Sequence, residues 1–264
     1  MSSLAARYTD DPDVQPLVEA IIDAGDKLSD ERRGEIVEAQ GPVGEALVAM
    51  SLDVDLASVD APGGGWAPIH AVRLLGERRQ VEAVEPLIEV VATTEADDLL
   101  GGAAIFALQE IGAPTLEPIL VAIDDEPGLR LRLAEVLSTL EIRDERIVDT
   151  LEAVVADDPQ LGASYLATYG DAAGIDVLRD ALGDVEFGDD GVDLQTCQRV
   201  IDIAVAIESL GGTLGADDRA RVERAYSERE RVAKGLLDAG LDGDSSGDDD
   251  DGWRPSPGSR GSRR

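Results

Sequence analysis

A chain of 264 residues that is 43% hydrophobic is long enough to build a sizeable core as one domain. Its 56 acidic residues against 23 basic ones give a net charge of −33, which opposes the phosphate attraction on which nucleic-acid binding rests. The single cysteine, Cys197, excludes an intramolecular disulfide, and nothing points to an oxidising compartment.

The start, Met1 to Asp11 (MSSLAARYTDD), has no apolar signal core, and no stretch reaches the roughly 18 apolar residues of a membrane span. The expectation is a soluble cytoplasmic protein with no membrane partner. Pro12 to Ala24 reads as an opening amphipathic helix, with Val14, Leu17, Val18, Ile21 and Ile22 at helical spacing and Asp11 available as its cap. Glu31 to Met50 reads as a helix pair broken at Gly41-Pro42, and Asp53 to Gly65 as a loop ending in Pro-Gly-Gly-Gly.

Four further pairs follow: Trp66 to Val91, Leu100 to Ile123, Leu129 to Val155 and Leu161 to Leu182. In each, an apolar helix ending near a glycine or a polar step leads into a second apolar helix. Leu47, Ile88, Leu120, Leu151 and Leu178 take equivalent second-helix positions at a slack period of ~27–41 residues, within the range of stacked helical repeats. One pair cannot bury its apolar face alone, so neighbours must stack and share a core, leaving an elongated surface for partners. After a loop with Gly188 and Gly191, a longer helix is expected from Val192 to Leu210, stopped by Gly211-Gly212, and a charged terminal helix from Ala216 to Ala239. Cys197 falls on a stripe with Leu194, Val200, Ile201 and Ala204, as a buried small hydrophobe would. The repeat domain is assigned to 1–241. The segment 242–264, an Asp block followed by Pro, Ser, Gly and Arg, has almost nothing to bury and is expected to be disordered.

Only Lys27 and Lys234 are lysines, Asp outnumbers Glu, and Ala, Gly and Val are abundant. That set resembles cytoplasmic proteins of salt-accumulating halophiles, the alternative being an acidic protein of a GC-rich mesophile. The screening length falls from about 8 Å at physiological salt to about 3 Å at 1 M, so high salt relieves the self-repulsion of such a surface. An acidic surface of this origin is first a means of solvation, and does not by itself name a basic partner.

The pairs carry an A-x-x-x-L-x-x-[LIY]-G line at the end of first helices, complete in Ala104 to Gly112 and partial in Ala71 to Gly76 and Ser164 to Gly170. Over Glu31 to Leu182 the chain resembles the HEAT family, in particular the short HEAT-like repeats of phycobilisome lyases. The resemblance implies an all-α fold, an α-solenoid of stacked antiparallel helix pairs. The T-P-L-H of ankyrin repeats and the W-x-x-L-G of tetratricopeptide repeats do not occur.

The enzymes of this class were weighed against residues. A HEAT-like di-iron hydroxylase needs several His-Glu pairs, whereas His70 is the only histidine. HEAT-like DNA glycosylases use a cationic groove that the net charge opposes; Arg73, Arg78, Arg79, Arg130 and Arg132 on one face would revive a nucleic-acid or chromosome-associated reading. A lyase-type enzyme lacks a residue signature but meets no missing ligand. His70 between Ile69 and Val72 reads as a packed or capping histidine, and Pro62 to Trp66 as a connector without the Lys-Ser/Thr of a phosphate loop. Asp242 to Gly247 begins like a calcium loop, but its twelfth position is Trp253 in place of a bidentate Glu. No cofactor and no metal set is expected.

The leading expectation is therefore a non-enzymatic protein–protein interaction or scaffold module whose partner is another protein. In HEAT-like arrays the second helices tend to line the concave face, and this resemblance nominates the partner-binding residues. With Val84, Leu87, Ile88 and Val91 inward, Glu82, Glu85 and Glu89 point outward; with Ile147, Val148, Leu151 and Val155 inward, Asp149 and Glu152 do; Asp176 and Asp180 follow on the next pair. Together they would form an acidic ladder.

Overall fold

A computed structural model describes residues 4–187 and 193–242, and among these the chain is all-helical. The opening helix α1 (Gln15–Ile22) is shorter than its sequence pattern because Asp11 caps an earlier turn: its carboxylate accepts the backbone N–H of Asp13, and Val14 occupies the N-cap. Helices α2 (Asp30–Glu38) and α3 (Val43–Ser51) form the first pair, parted at Gly41, whose φ of 86° suits glycine.

In chain order the four central pairs are α4 (Ala67–Glu77) with α5 (Val84–Thr93), α6 (Leu99–Ile111) with α7 (Leu116–Asp125), α8 (Arg130–Ser138) with α9 (Glu145–Asp157), and α10 (Pro159–Tyr169) with α11 (Ile175–Asp184), and in space α5 packs chiefly on α6, α7 on α8 and α9 on α10. Then come α12 (Leu194–Ser209) and the charged α13 (Ala216–Asp242), which packs on α12. First helices touch in succession, α4 on α6, α6 on α8, α8 on α10 and α10 on α12; among second helices α3 meets α5, α5 meets α7 and α9 meets α11. One hydrophobic core runs through them, built from Leu, Val, Ile and Ala.

Two devices satisfy the open ends of the helices, and the second also ties distant helices together. Aspartates cap helix starts: Asp98, Asp144, Asp158 and Asp193 each accept a backbone N–H of the first turn, at 2.7–3.1 Å. Arginines from other parts of the array close helix ends, where the unpaired carbonyls and the negative end of the helix dipole await donors. Arg78 of the α4 end donates to the carbonyls of Ile36, Val37 and Ala39 at 2.6, 2.8 and 3.1 Å; Arg132 of α8 donates to those of Val91 and Thr94. Arg143 reaches the carbonyls of Tyr169 and Gly170, and Arg221 that of Val185. A planar guanidinium serves several carbonyls at once, which an ammonium does less well. This gives much of the arginine a structural employment.

Backbones also approach closely. A Cβ on Gly162 would lie 2.5 Å from the backbone nitrogen of Val155, so glycine sets the distance of α10 from α9.

The sequence register slips at one place: Ile119, not Leu120, is fully buried in α7, Leu120 being half-buried. Likewise Leu194 is exposed at the start of α12, while Cys197, Val200, Ile201 and Ala204 are buried as expected. The loop containing Gly188 and Gly191 and the calcium-like run after Asp242 lie outside the described residues.

Candidate functional site

On α5 the side chains of Val84, Leu87, Ile88 and Val91 are buried, which turns Glu85 and Glu89 outward one helical turn apart. Glu82 is exposed in the 3-10 turn that precedes α5, where Gln80 Nε2 donates to its Oε2 at 2.6 Å. On α9 the buried stripe is Ile147, Val148, Leu151 and Val155, and Asp149 is exposed. Glu152 departs from expectation: it is half-buried, and desolvation, followed by the neighbouring Asp149 charge, holds its carboxyl above the usual range. Asp176 and Asp180 are exposed on α11 above buried Leu178 and Leu182, and Arg179 pairs with Asp176 at 3.0 Å.

The nominated carboxylates thus fall into three groups. Those of α9 and α11 sit on helices in contact, whereas α7 lies next to α5 in the chain order of contacts and carries none of the nominated residues. Its outward residues are Glu117, Val121 and Asp124, with Val121 58% exposed. Glu117 receives both terminal nitrogens of Arg146, at 2.6 and 3.1 Å, and Arg146 also grips Asp144 at 2.7 Å. Hydrogen bonds from Arg146 draw the carboxyls of Glu117 and Asp144 below their usual range. The ladder therefore contains a cation and an apolar side chain at its middle. The sequence of α7, LEPILVAIDD, shows no acidic pair one turn apart because Val121 occupies the i+4 position between Glu117 and Asp124.

Other candidates resolve into structural work. His70 is only 5% exposed, and its Nε2–H donates to the carbonyl of Gly25 at 2.8 Å, tying α4 to the turn before α2. Cys197 is buried, and burial pushes its thiol up. Of the five arginines weighed for nucleic acid, Arg78 and Arg132 serve carbonyls and Arg130 pairs with Asp157 at 3.0 Å; Arg73 and Arg79 are exposed. Among the described residues no group of three or more His, Cys, Asp or Glu is placed to hold a metal ion, and no single helix is long and apolar enough to cross a membrane.

Two cavities stand out by their linings. A pocket of about 570 Å³ beside His70 is lined by Lys27, Arg33, Arg73 and Glu77, with Arg33 Nε reaching both oxygens of Glu77 at 2.7–2.8 Å. A groove of about 740 Å³ runs between α10 and α12 over Leu161, Ala167, Val205 and Ala206, with Asp158 and Asp202 at one end. Compared with known proteins, the chain matches no protein-family model and no curated sequence.

Proposed function

We propose that this chain is a non-enzymatic protein-interaction module, a HEAT-like α-solenoid adapted to a salt-rich cytoplasm, that takes a protein partner along its second helices. One observation carries the reading: carboxylates recur at exposed positions over buried stripes on α5, α9 and α11. The chain-order contacts of the first helices and the arginine closures between pairs support the stacked-repeat architecture. Such a row suits a partner that sets basic groups in direct contact with it, since at about 1 M salt a screening length of about 3 Å leaves little attraction at long range.

The test is replacement of Glu85, Glu89, Asp149 and Glu152 by Lys. The first three are exposed and Glu152 lies off the buried stripe, so helical content should survive, as checked by circular dichroism. Capture of the protein that co-purifies with the wild type at native salt should drop at least tenfold, while His70→Ala and Cys197→Ala should leave it nearly unchanged in folded protein. Equal capture by the charge-reversed chain would remove the second-helix face from the account.

A further inference from the structure

From α4 to α10 the exposed side chains of the first helices differ in kind from those of the second; α2, which exposes Asp30, Glu31, Glu35 and Glu38, stands outside this row. On α4, α6, α8 and α10 they are Arg73, Leu99, Phe106, Leu131, Ser164 and Thr168, and none is a carboxylate. The carboxylates these helices do carry, Glu77, Glu110 and Glu135, are half-buried. Each of α5, α7, α9 and α11, by contrast, exposes two or more. In a chain with 56 acidic residues, a row of neighbouring helices without one exposed carboxylate is not a matter of composition.

Large apolar groups are presented along this row. Leu99 is 65% exposed, Phe106 56% and, further on in α12, which also exposes Glu208, Val205 54%. Single exposed apolar side chains are ordinary, as Val121 on α7 shows; Val205 differs in lining a groove with an apolar floor. The groove between α10 and α12 adds a polar end to this apolar floor. There Asp202 is held by two neutral amides, Gln160 Nε2 at 2.6 Å and Gln198 Nε2 at 2.7 Å, and Asp158 caps α10. A cation entering with an apolar neighbour would find both partners in place.

We infer that the first-helix row, centred on the α10–α12 groove, is a second docking surface, for a protein partner that presents an apolar helical stripe flanked by basic residues. Charge selects this occupant over a second copy of the chain: two copies would bring net charges of −33 together and set carboxylate against carboxylate at the groove end. Packed helices lie about 8–10 Å apart, so α6 to α12 spans about 30 Å, the length of a helix of about 20 residues. The surface is separate from the acidic second-helix row and stands or falls independently of it.

The experiment uses the full chain and a synthetic helical peptide of about 20 residues with a Leu stripe and flanking Arg, followed by fluorescence anisotropy in about 1 M KCl, where the screening length of about 3 Å suppresses long-range attraction. The same peptide with Glu flanks is the control. The Arg-flanked peptide should bind, the Glu-flanked one should bind at least tenfold more weakly, and Phe106→Glu and Val205→Glu should each weaken binding about tenfold. Phe106→Ser and Val205→Ser, which add no charge, should weaken it in the same direction. The Glu85→Lys, Glu89→Lys chain should bind this peptide as the wild type does. Wild-type affinity in both glutamate variants would overturn the inference, and so would loss of binding in the second-helix variant. Sedimentation showing a dimer in high salt that Phe106→Glu dissolves would make a second copy the occupant, and would also overturn it.

Discussion

The two rows of helices share one core and differ at their outer surfaces. Second helices set carboxylates over their buried stripes, as Glu85 and Glu89 lie over Leu87 and Ile88 on α5. From α4 to α10 the first helices expose Leu99, Phe106 and Leu131 with no carboxylate among their exposed side chains, whereas α2 exposes four. Both arrangements satisfy the same 3.6-residue period, so periodicity settles which side is inside and leaves the outer chemistry free. What a helix does to its partners is decided by the residues its core does not need.

That contrast can be broken from several sides. The largest effect should come from salt. The melting temperature is expected to rise substantially from about 0.1 M to about 2 M KCl, more than for a near-neutral helical-repeat protein, because screening relieves repulsion among the carboxylates. Neutralising Glu85, Glu89 and Asp180 to Gln should flatten that response, whereas Phe106→Ser should leave it in place. Equal salt responses in this chain and the neutral protein would remove the salt-adaptation reading.

Next in size is Gly162→Ala. Its Cβ would meet the backbone of Val155, which cannot yield as a side chain can, so urea denaturation should show a loss of about 3 kcal/mol. Arg132→Ala should cost about 2 kcal/mol by leaving the carbonyls of Val91 and Thr94 without their donors. Lysine there should recover only part of it, since one ammonium cannot reproduce the fork that also reaches Thr94 Oγ1.

The smallest effect is at Glu152. Its folded carboxyl lies above the ordinary value, so the native state holds the proton over a window in which the unfolded chain has released it. Stability from this site is therefore present at low pH and lost as pH rises through that window. Glu152→Gln should remove this slope and raise stability near neutral pH by less than about 1 kcal/mol, as thermal melts at two pH values would register.

The helices themselves were legible in the sequence. The breaks at Gly41-Pro42 and Gly211, the buried stripes of α5 and α9 and the packed state of His70 all follow from spacing and residue type. The slip from Ile119 to Leu120 arose because α7 carries consecutive apolar residues, Ile119, Leu120 and Val121, among which period alone does not choose. The partial burial of Glu152 depends on a neighbouring helix and has no local signal. The arginine closures join residues from 26 positions apart, as Arg143 joins Tyr169, to 42, as Arg78 joins Ile36, and guanidinium–carbonyl bonding has no sequence spacing of its own. The first-helix surface escaped for another reason. Charged residues are visible in the sequence, whereas this surface is defined by carboxylates missing from exposed positions, and exposure is set only by folding.

The proposal that a protein partner lies along the second helices is tested most directly by amide hydrogen exchange on the complex captured at native salt. The account predicts slowed exchange on α5 and α9 when the partner is bound, lost together with capture when Glu85, Glu89, Asp149 and Glu152 become Lys. Exchange on α5 and α9 identical in the free and bound chain would contradict it.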